Sequence, residues 1–132
     1  MTAHIAAKKE DIAEQVLYMG EIKPGIELNK YYNLADVMVF PSKSEGFSLV
    51  IIEAMSAGVP VIINENLQFK LSNECLKYSN EKEFADIINK NILDENKQVT
   101  LSKNVRNAVV NSYSWDKVTT DYLQSWEDKL NV

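Results

Sequence analysis

The clearest hydrophobic pattern in the chain is a strand, helix, strand unit near its middle. Residues 36–40 and 59–63 form two short apolar runs, the first ended by Pro41 and the second entered through Gly58. Apolar runs of this length are typical of strands that are covered on both faces in a parallel sheet. Residues 48–57 between them have the length of a helix that stops at Gly58. Parallel strands joined in this way almost always take a right-handed crossover.

The loop of residues 41–47 is the expected place for a ligand. It leaves the carboxyl end of the first strand and leads to the start of the helix, where Ser48 is a candidate N-cap. Open α/β sheets bind ligands at the carboxyl ends of their strands, and the free N–H groups of a helix start favour an anion. The geometry therefore predicts that a phosphate group binds here.

Glu53 is the one charged residue of this helix, which is otherwise apolar nearly all round. We therefore expect a buried central helix whose carboxylate needs partners, because burial without them is costly. Those partners are either the hydroxyl or N–H groups of a ligand, or a neighbouring lysine or backbone group. Glu45, in the loop, is a weaker signal on its own, because most loop glutamates are simply solvated.

These residues together resemble a known family. The matching pattern is Pro41-Ser42, Glu45-Gly46-Phe47-Ser48, Glu53-Ala54-Met55 and Gly58-x-Pro60-Val61. It resembles the donor-site signature of the family 4 retaining glycosyltransferases of the GT-B fold, in which two glutamates stand eight positions apart, as Glu45 and Glu53 do. The pattern fixes spacing, flanking glycines and the strand, helix, strand frame together, which makes it specific.

The resemblance implies both a fold and a set of roles. The fold would be α/β, with a Rossmann-like parallel sheet flanked by helices, and residues 1–132 would be a single nucleotide-sugar-binding domain. Glu45 would be catalytic and lie beside the transferred sugar, while Glu53 would accept hydrogen bonds from the ribose hydroxyls. Donor binding would also use Gly46, Phe47, Ser48 and Leu49, the last three through backbone N–H groups on the diphosphate. The resemblance implies no metal, and the chain has no Asp-x-Asp motif.

The resemblance also implies a larger enzyme. A GT-B glycosyltransferase has two such domains, and this chain corresponds to the C-terminal, donor-binding half, truncated at its start. The expected partners are a nucleotide-sugar such as a UDP- or GDP-sugar and a missing N-terminal domain that binds a saccharide, lipid or protein acceptor, as in polysaccharide biosynthesis. We expect negligible activity from this chain alone. The alternative is a non-catalytic nucleotide-binding or docking module with a degenerate glycosyltransferase fold.

The composition limits the classes of partner and the cellular compartment that we expect for this protein. A net charge of -5 without a basic stripe argues against nucleic acid as a partner. The single cysteine, Cys75, fits a reducing cytoplasm and is expected to be a small packing or surface residue. The sequence shows no signal peptide and no apolar run long enough for a membrane span, so membrane contact would be peripheral and made through the full enzyme.

The flanking segments are predicted by their periodicity. A first helix is expected over residues 1–15, a strand over Val16–Met19, and a short strand over residues 76–79. Helices are expected over residues 27–35, 80–93, 100–112 and 114–130. Tyr31 and Tyr32 on one of these helices are either core residues or a base-stacking platform.

Two further expectations concern the later part of the chain. Family members usually carry a glycine-rich stretch that seats the donor sugar, but no glycine follows Gly58, which leaves Glu65 and Asn66 as candidates in the atypical segment 65–79. If a partner domain covers the last helix, Tyr122 and Trp126 are uncovered in isolation, and we expect the chain to form a homodimer through them.

Overall fold

The protein has an α/β architecture built on a three-stranded parallel sheet, as the sequence predicts. The computed structural model describes residues 15–45 and 48–130. In chain order the elements are α1 (Ile26–Leu34), β1 (Met38–Phe40), α2 (Leu49–Ser56), β2 (Val61–Asn64), β3 (Leu76–Tyr78), α3 (Glu81–Ile87), α4 (Glu95–Tyr113) and α5 (Trp115–Leu130). The chain divides into two compact units, Met1–Lys30 and Tyr31–Val132.

The sheet has the order β1, β2, β3, and both pairs are parallel. All four residues of β2 are buried, which confirms the prediction for this strand. The same prediction is wrong for β1, because β1 has a neighbour on one side only in the described sheet and Val39 is exposed. The strand predicted over Val16–Met19 is wrong, because no strand forms there and Leu17 is 83% exposed. An apolar run becomes a strand only where a neighbouring strand supplies ladder hydrogen bonds.

The core lies between the sheet, α2 and α4. Ile51 and Met55 of α2 are fully buried and belong to one cluster with Val105 of α4. Gly58 ends the helical turn after α2 with a φ of +83°, a conformation that strongly favours glycine, and an added Cβ would lie 3.6 Å from the Ser102 carbonyl oxygen of α4. The turn into β2 therefore requires this glycine for its backbone conformation, whereas its contact with α4 is an ordinary one.

Helix α3 begins with a reciprocal capping arrangement. The Asn80 side chain accepts a hydrogen bond from the Glu83 N–H at 3.0 Å, and the Glu83 carboxylate accepts from the N–H and hydroxyl of Ser79. The predicted single helix of residues 80–93 instead continues as a π-helical turn, Ile88–Ile92. There the Asn91 side chain donates to the Ile87 carbonyl at 3.1 Å, so it competes for an acceptor of the α-helical ladder.

The C-terminal helix buries none of its residues, and Tyr122 and Trp126 are 63% and 61% exposed, as expected. No helix in the described part of the chain is both long and apolar enough to cross a membrane. Cys75 is buried and its Sγ lies 4.0 Å from the Met55 Sδ, which confirms a packing role. Burial raises the pKa of the Cys75 thiol to about 12. The first fourteen residues of the predicted N-terminal helix lie outside the described residues.

Candidate functional site

The parallel register brings two loops to one edge of the sheet. Phe40 at the end of β1 pairs with Ile63 near the end of β2. The segments that follow these strands therefore leave the sheet side by side, at its carboxyl edge. The first segment carries Glu45, and the second carries Glu65 and Asn66. This is the edge where the sequence predicts the ligand.

The start of α2 presents backbone amides that the helix itself does not use. The N–H groups of a first helical turn have no intrahelical acceptor. Ser48 occupies the N-cap position, as predicted, although its side chain makes no capping hydrogen bond to α2. Of the predicted donor-binding residues, Ser48 is buried and Leu49 exposed, while Gly46 and Phe47 lie outside the described residues.

Helix α2 has one buried face and one open face. Ile51, Ala54 and Met55 are 0% exposed, whereas Leu49 and Val50 are 59% and 44% exposed. Glu53, one helical turn beyond these two residues, is exposed as well. The expectation of a helix buried all round is therefore wrong, because only the face toward β2 and α4 is covered by the described residues. The apolar composition of a helix shows that it can be buried, not which of its faces is covered.

Tyr32 supplies the hydrogen bond that the sequence predicts for Glu53. The Tyr32 hydroxyl, near the end of α1, donates to the Glu53 Oε2 at 3.1 Å. Partial burial, this hydrogen bond and the negative charge of Glu53 raise the pKa of Tyr32 to about 12. The tyrosine therefore stays a neutral donor throughout the ordinary pH range. The partner of Glu53 is thus a side-chain hydroxyl, rather than the lysine or backbone group considered from the sequence.

Glu45 lies in the loop between β1 and α2 and is exposed. The loop is tied locally, because the Ser42 hydroxyl donates to the Ser44 carbonyl at 3.0 Å. Glu45 follows this turn directly, and Glu53 lies on α2, the helix to which this loop leads. Glu53 is fixed on a helix, whereas Glu45 is placed by a loop.

Sequence reasoning missed Asn64, and it considered Tyr32 only as a core residue or as part of a base-stacking platform. Asn64 is buried at the end of β2, and its Oδ1 accepts hydrogen bonds from the N–H and the side-chain amide of Asn66 at 3.0 and 3.1 Å. A polar residue directly after a buried apolar run is the signal that marks Asn64. For Tyr32 the helical spacing predicts only a position on the inner face of α1, and its contact with Glu53 depends on the tertiary fold.

Two surface clefts lie elsewhere on the protein. One, of about 320 Å³, is lined by Lys70, Tyr113 and residues of α5, and the other, of about 340 Å³, is lined by residues 91–101. Neither cleft includes Glu45 or Glu53. Within residues 15–45 and 48–130, no group of three or more His, Cys, Asp or Glu side chains could hold a metal ion.

A family model matches most of this chain. The model described as "Glycosyl transferases group 1" matches residues 1–94, which include β1, α2, β2 and all the predicted site residues. The matched part ends just after the π-helical turn, so α4 and α5 lie beyond it.

Three individual proteins are also similar to this chain. An uncharacterized glycosyltransferase of Methanocaldococcus jannaschii is 28% identical over 127 residues, covering 92% of this chain and 32% of that protein. A capsular polysaccharide biosynthesis glycosyltransferase of Staphylococcus aureus is 32% identical over 102 residues, covering 70% of this chain and 27% of that protein. The solved structure of a sucrose-phosphate synthase from Thermosynechococcus elongatus superposes with a TM-score of 0.76 and 27% identity, covering 96% of this chain and 33% of that one. The chain spans about a third of the length of these proteins.

Proposed function

Because this chain belongs to the Glycosyl transferases group 1 family and has the α/β fold of a GT-B C-terminal domain, we propose that it binds the nucleotide-sugar donor of a glycosyltransferase. The enzyme class proposed is family 4, which transfers a hexose from a UDP- or GDP-sugar with retention at the anomeric carbon. The observation that carries the proposal is the setting of Glu53: an exposed carboxylate that accepts a hydrogen bond from Tyr32 and lies on α2, the helix that begins at the carboxyl edge of the sheet.

Glu53 has the chemistry that a ribose diol requires. A carboxylate accepts hydrogen bonds, and each one made to a charged acceptor is worth about 1.5–3 kcal/mol. Because Glu53 is exposed, the carboxylate stays solvated until a ligand replaces the water around it. One of its oxygens already accepts from Tyr32, which leaves the other oriented for a hydroxyl group of the ligand.

The start of α2 supplies the groups that a diphosphate requires. The first-turn amides, with Ser48 and Leu49 among them, point toward the helix N-terminus, and the helix dipole favours negative charge there. Gly46 and Phe47 belong to the same donor-binding segment. In the proposed reaction these amides stabilise the negative charge that develops on the departing nucleoside diphosphate.

We assign the catalytic role to Glu45, at the point where the donor sugar leaves the diphosphate. Its carboxylate would lie beside the anomeric carbon and stabilise the positive charge that develops there as the bond to phosphate breaks. The proposed reaction needs no metal and no cofactor beyond the donor. Transfer also needs an acceptor site, which we assign to an N-terminal partner domain, so these 132 residues alone should bind the donor without transferring its sugar. The proposed compartment is the cytoplasm.

A docking module is the second candidate, and the exposed face of α5 favours it. Trp115 and Leu130 at the two ends of that helix are 84% and 82% exposed, and Trp126 lies on the same face. An apolar patch of this kind is typical of a surface that binds another protein. In this alternative the glycosyltransferase fold serves association, and nucleotide binding is dispensable.

A calorimetric titration of the chain with UDP, GDP and ADP, and then with the matching sugar nucleotides, tests the proposal. We expect one nucleoside diphosphate to bind clearly more tightly than the other two, and its sugar nucleotide to bind without being turned over. If none binds at millimolar concentration while circular dichroism shows a folded chain, donor binding is wrong and the docking module is favoured.

A further inference from the structure

We infer that Tyr32 is a positioning residue for nucleotide recognition, because it holds the Glu53 carboxylate in the orientation that binds ribose. This inference rests on the proposed function of Glu53. It adds a residue that lies 21 positions from Glu53 along the chain, on a different helix, and outside the motif that the two glutamates define. Tyr32 would not touch the nucleotide itself, and its effect on binding would pass through Glu53.

The contact is directional. The Tyr32 hydroxyl donates to Oε2 of Glu53 at 3.1 Å, within the ordinary range for a hydrogen bond. A carboxylate has two oxygens, so the other oxygen remains available to an incoming hydroxyl group. The tyrosine thereby fixes which oxygen of Glu53 is offered and in which direction it points.

Tyr32 can act as a fixed anchor because its own position is fixed. Its ring is partly buried and packs against the hydrophobic core cluster, and its carbonyl accepts a hydrogen bond from the Ala35 N–H at 3.1 Å where α1 ends. Glu53 is exposed and, without such an anchor, would sample several side-chain rotamers. The hydrogen bond to the fixed tyrosine ring therefore restrains a carboxylate that would otherwise be mobile.

Fixing Glu53 before the ligand arrives increases affinity. A glutamate side chain loses considerable rotamer freedom when it is immobilised, and binding must compensate for that loss. Where the free protein already holds the carboxylate in place, this rotamer freedom is lost on folding and is not lost again on binding. Release of Glu53 should therefore weaken nucleotide binding without abolishing it, by about three- to tenfold.

Tyr32→Phe is the variant that isolates this effect, because it removes the hydroxyl and retains the ring that packs against the core. Tyr31→Phe is the matched control: the neighbouring half-buried tyrosine of the same helix loses the same atom. With the preferred nucleoside diphosphate as probe, calorimetry should show about three- to tenfold weaker binding for Tyr32→Phe and unchanged binding for Tyr31→Phe. Thermal melts of both variants verify that they remain folded.

Two further comparisons separate positioning from a purely structural role. The native chain should prefer the ribonucleotide over its 2′-deoxy and 3′-deoxy analogues, and Tyr32→Phe should reduce this preference, because the carboxylate that reads the diol is no longer oriented. In a Glu53→Ala background, which removes the acceptor of the Tyr32 hydroxyl, Tyr32→Phe should cause little further loss of binding. Equal weakening for ribo- and deoxynucleotides, or losses that simply add, would overturn the inference.

The contact itself can be measured without a nucleotide. In an NMR titration of the tyrosine ¹³Cζ resonances, Tyr32 should have a pKa of about 12 in the native chain, and Glu53→Gln should lower that pKa. An unchanged pKa would show that the contact is absent in solution and overturn the inference. If the pKa falls and the native chain binds a nucleotide that Tyr32→Phe binds equally well, positioning is wrong while the proposed function stands. If the native chain binds no nucleotide, the proposed function fails and the inference fails with it.

Discussion

The two faces of α2 differ more than their similar side chains suggest. Ile51, on one face, is fully buried against the core, whereas its neighbour Val50, on the other, is 44% exposed. Both are β-branched aliphatic residues in the same helical turn. The buried face connects the sheet to α4, and the open face carries Glu53, which accepts a hydrogen bond from Tyr32 of α1. One short helix therefore holds the fold together with one face and presents the candidate site with the other.

The residues of α2 that stabilise the fold are therefore different from the residues that form the candidate site. Residues of the buried face contribute mainly to the free energy of unfolding, because their removal leaves cavities. Residues of the open face make few contacts within the protein, so substitutions there should change ligand binding more than the free energy of unfolding. Substitutions on each face test whether stability and binding depend on different residues.

The largest expected effect is on the buried face. Ile51→Ala should lower the free energy of unfolding by about 2–5 kcal/mol, because a fully buried isoleucine leaves a cavity. Urea unfolding followed by circular dichroism measures this change. The control, Val50→Ala, removes methyl groups one residue away and should change stability by about 0.5 kcal/mol or less. Similar losses for the two variants would contradict the separation of the faces.

A smaller effect is expected where α2 leads into β2. Gly58→Ala places a side chain at a φ of +83°, which costs roughly 1–2 kcal/mol. The added Cβ, 3.6 Å from the Ser102 carbonyl oxygen, would make only an ordinary contact, so the backbone conformation should account for the loss. Gly58→Asn, with a residue that tolerates this conformation better, should be less destabilised than Gly58→Ala in the same unfolding experiment. The reverse order would indicate that contact with α4 controls this position.

The smallest effect on stability is expected at the exposed face of α5. Trp126→Ser should change the free energy of unfolding by about 0.5 kcal/mol or less, because the side chain is 61% exposed. It should nevertheless reduce self-association measured by light scattering, whereas Gln124→Ser on the opposite, polar face should leave it unchanged. A native chain that is monomeric at high concentration would rule out the expected dimer.

The central strands and α2 could be predicted because local signals mark their ends. Pro41 closes β1 and Gly58 ends the turn after α2, and both work through backbone geometry that sequence reveals directly. The strand predicted over Val16–Met19 failed because strand formation depends on a pairing partner that is distant in sequence. The coverage of only one face of α2 could not be predicted for the same reason, since it depends on where α4 packs.

The candidate site also has some features that could be predicted from the sequence and others that depend on the tertiary fold. Glu45 and Glu53 were identified by spacing within one continuous segment, which a sequence pattern can record. The hydrogen bond from Tyr32 to Glu53 joins two helices and could not be predicted, because helical spacing gave Tyr32 only a position on one face of α1. The roles of both glutamates, and of Gly46, Phe47, Ser48 and Leu49, stay predictions.

The central claim is that the open face of α2 binds a nucleotide through Glu53, and a paired calorimetric titration of the native chain and Glu53→Ala tests it most directly. We predict that one of UDP, GDP and ADP binds, and that the substitution weakens its binding by about 1.5–3 kcal/mol while the unfolding transition stays unchanged. Equal binding by the two proteins, or no binding by a folded native chain, would contradict the claim.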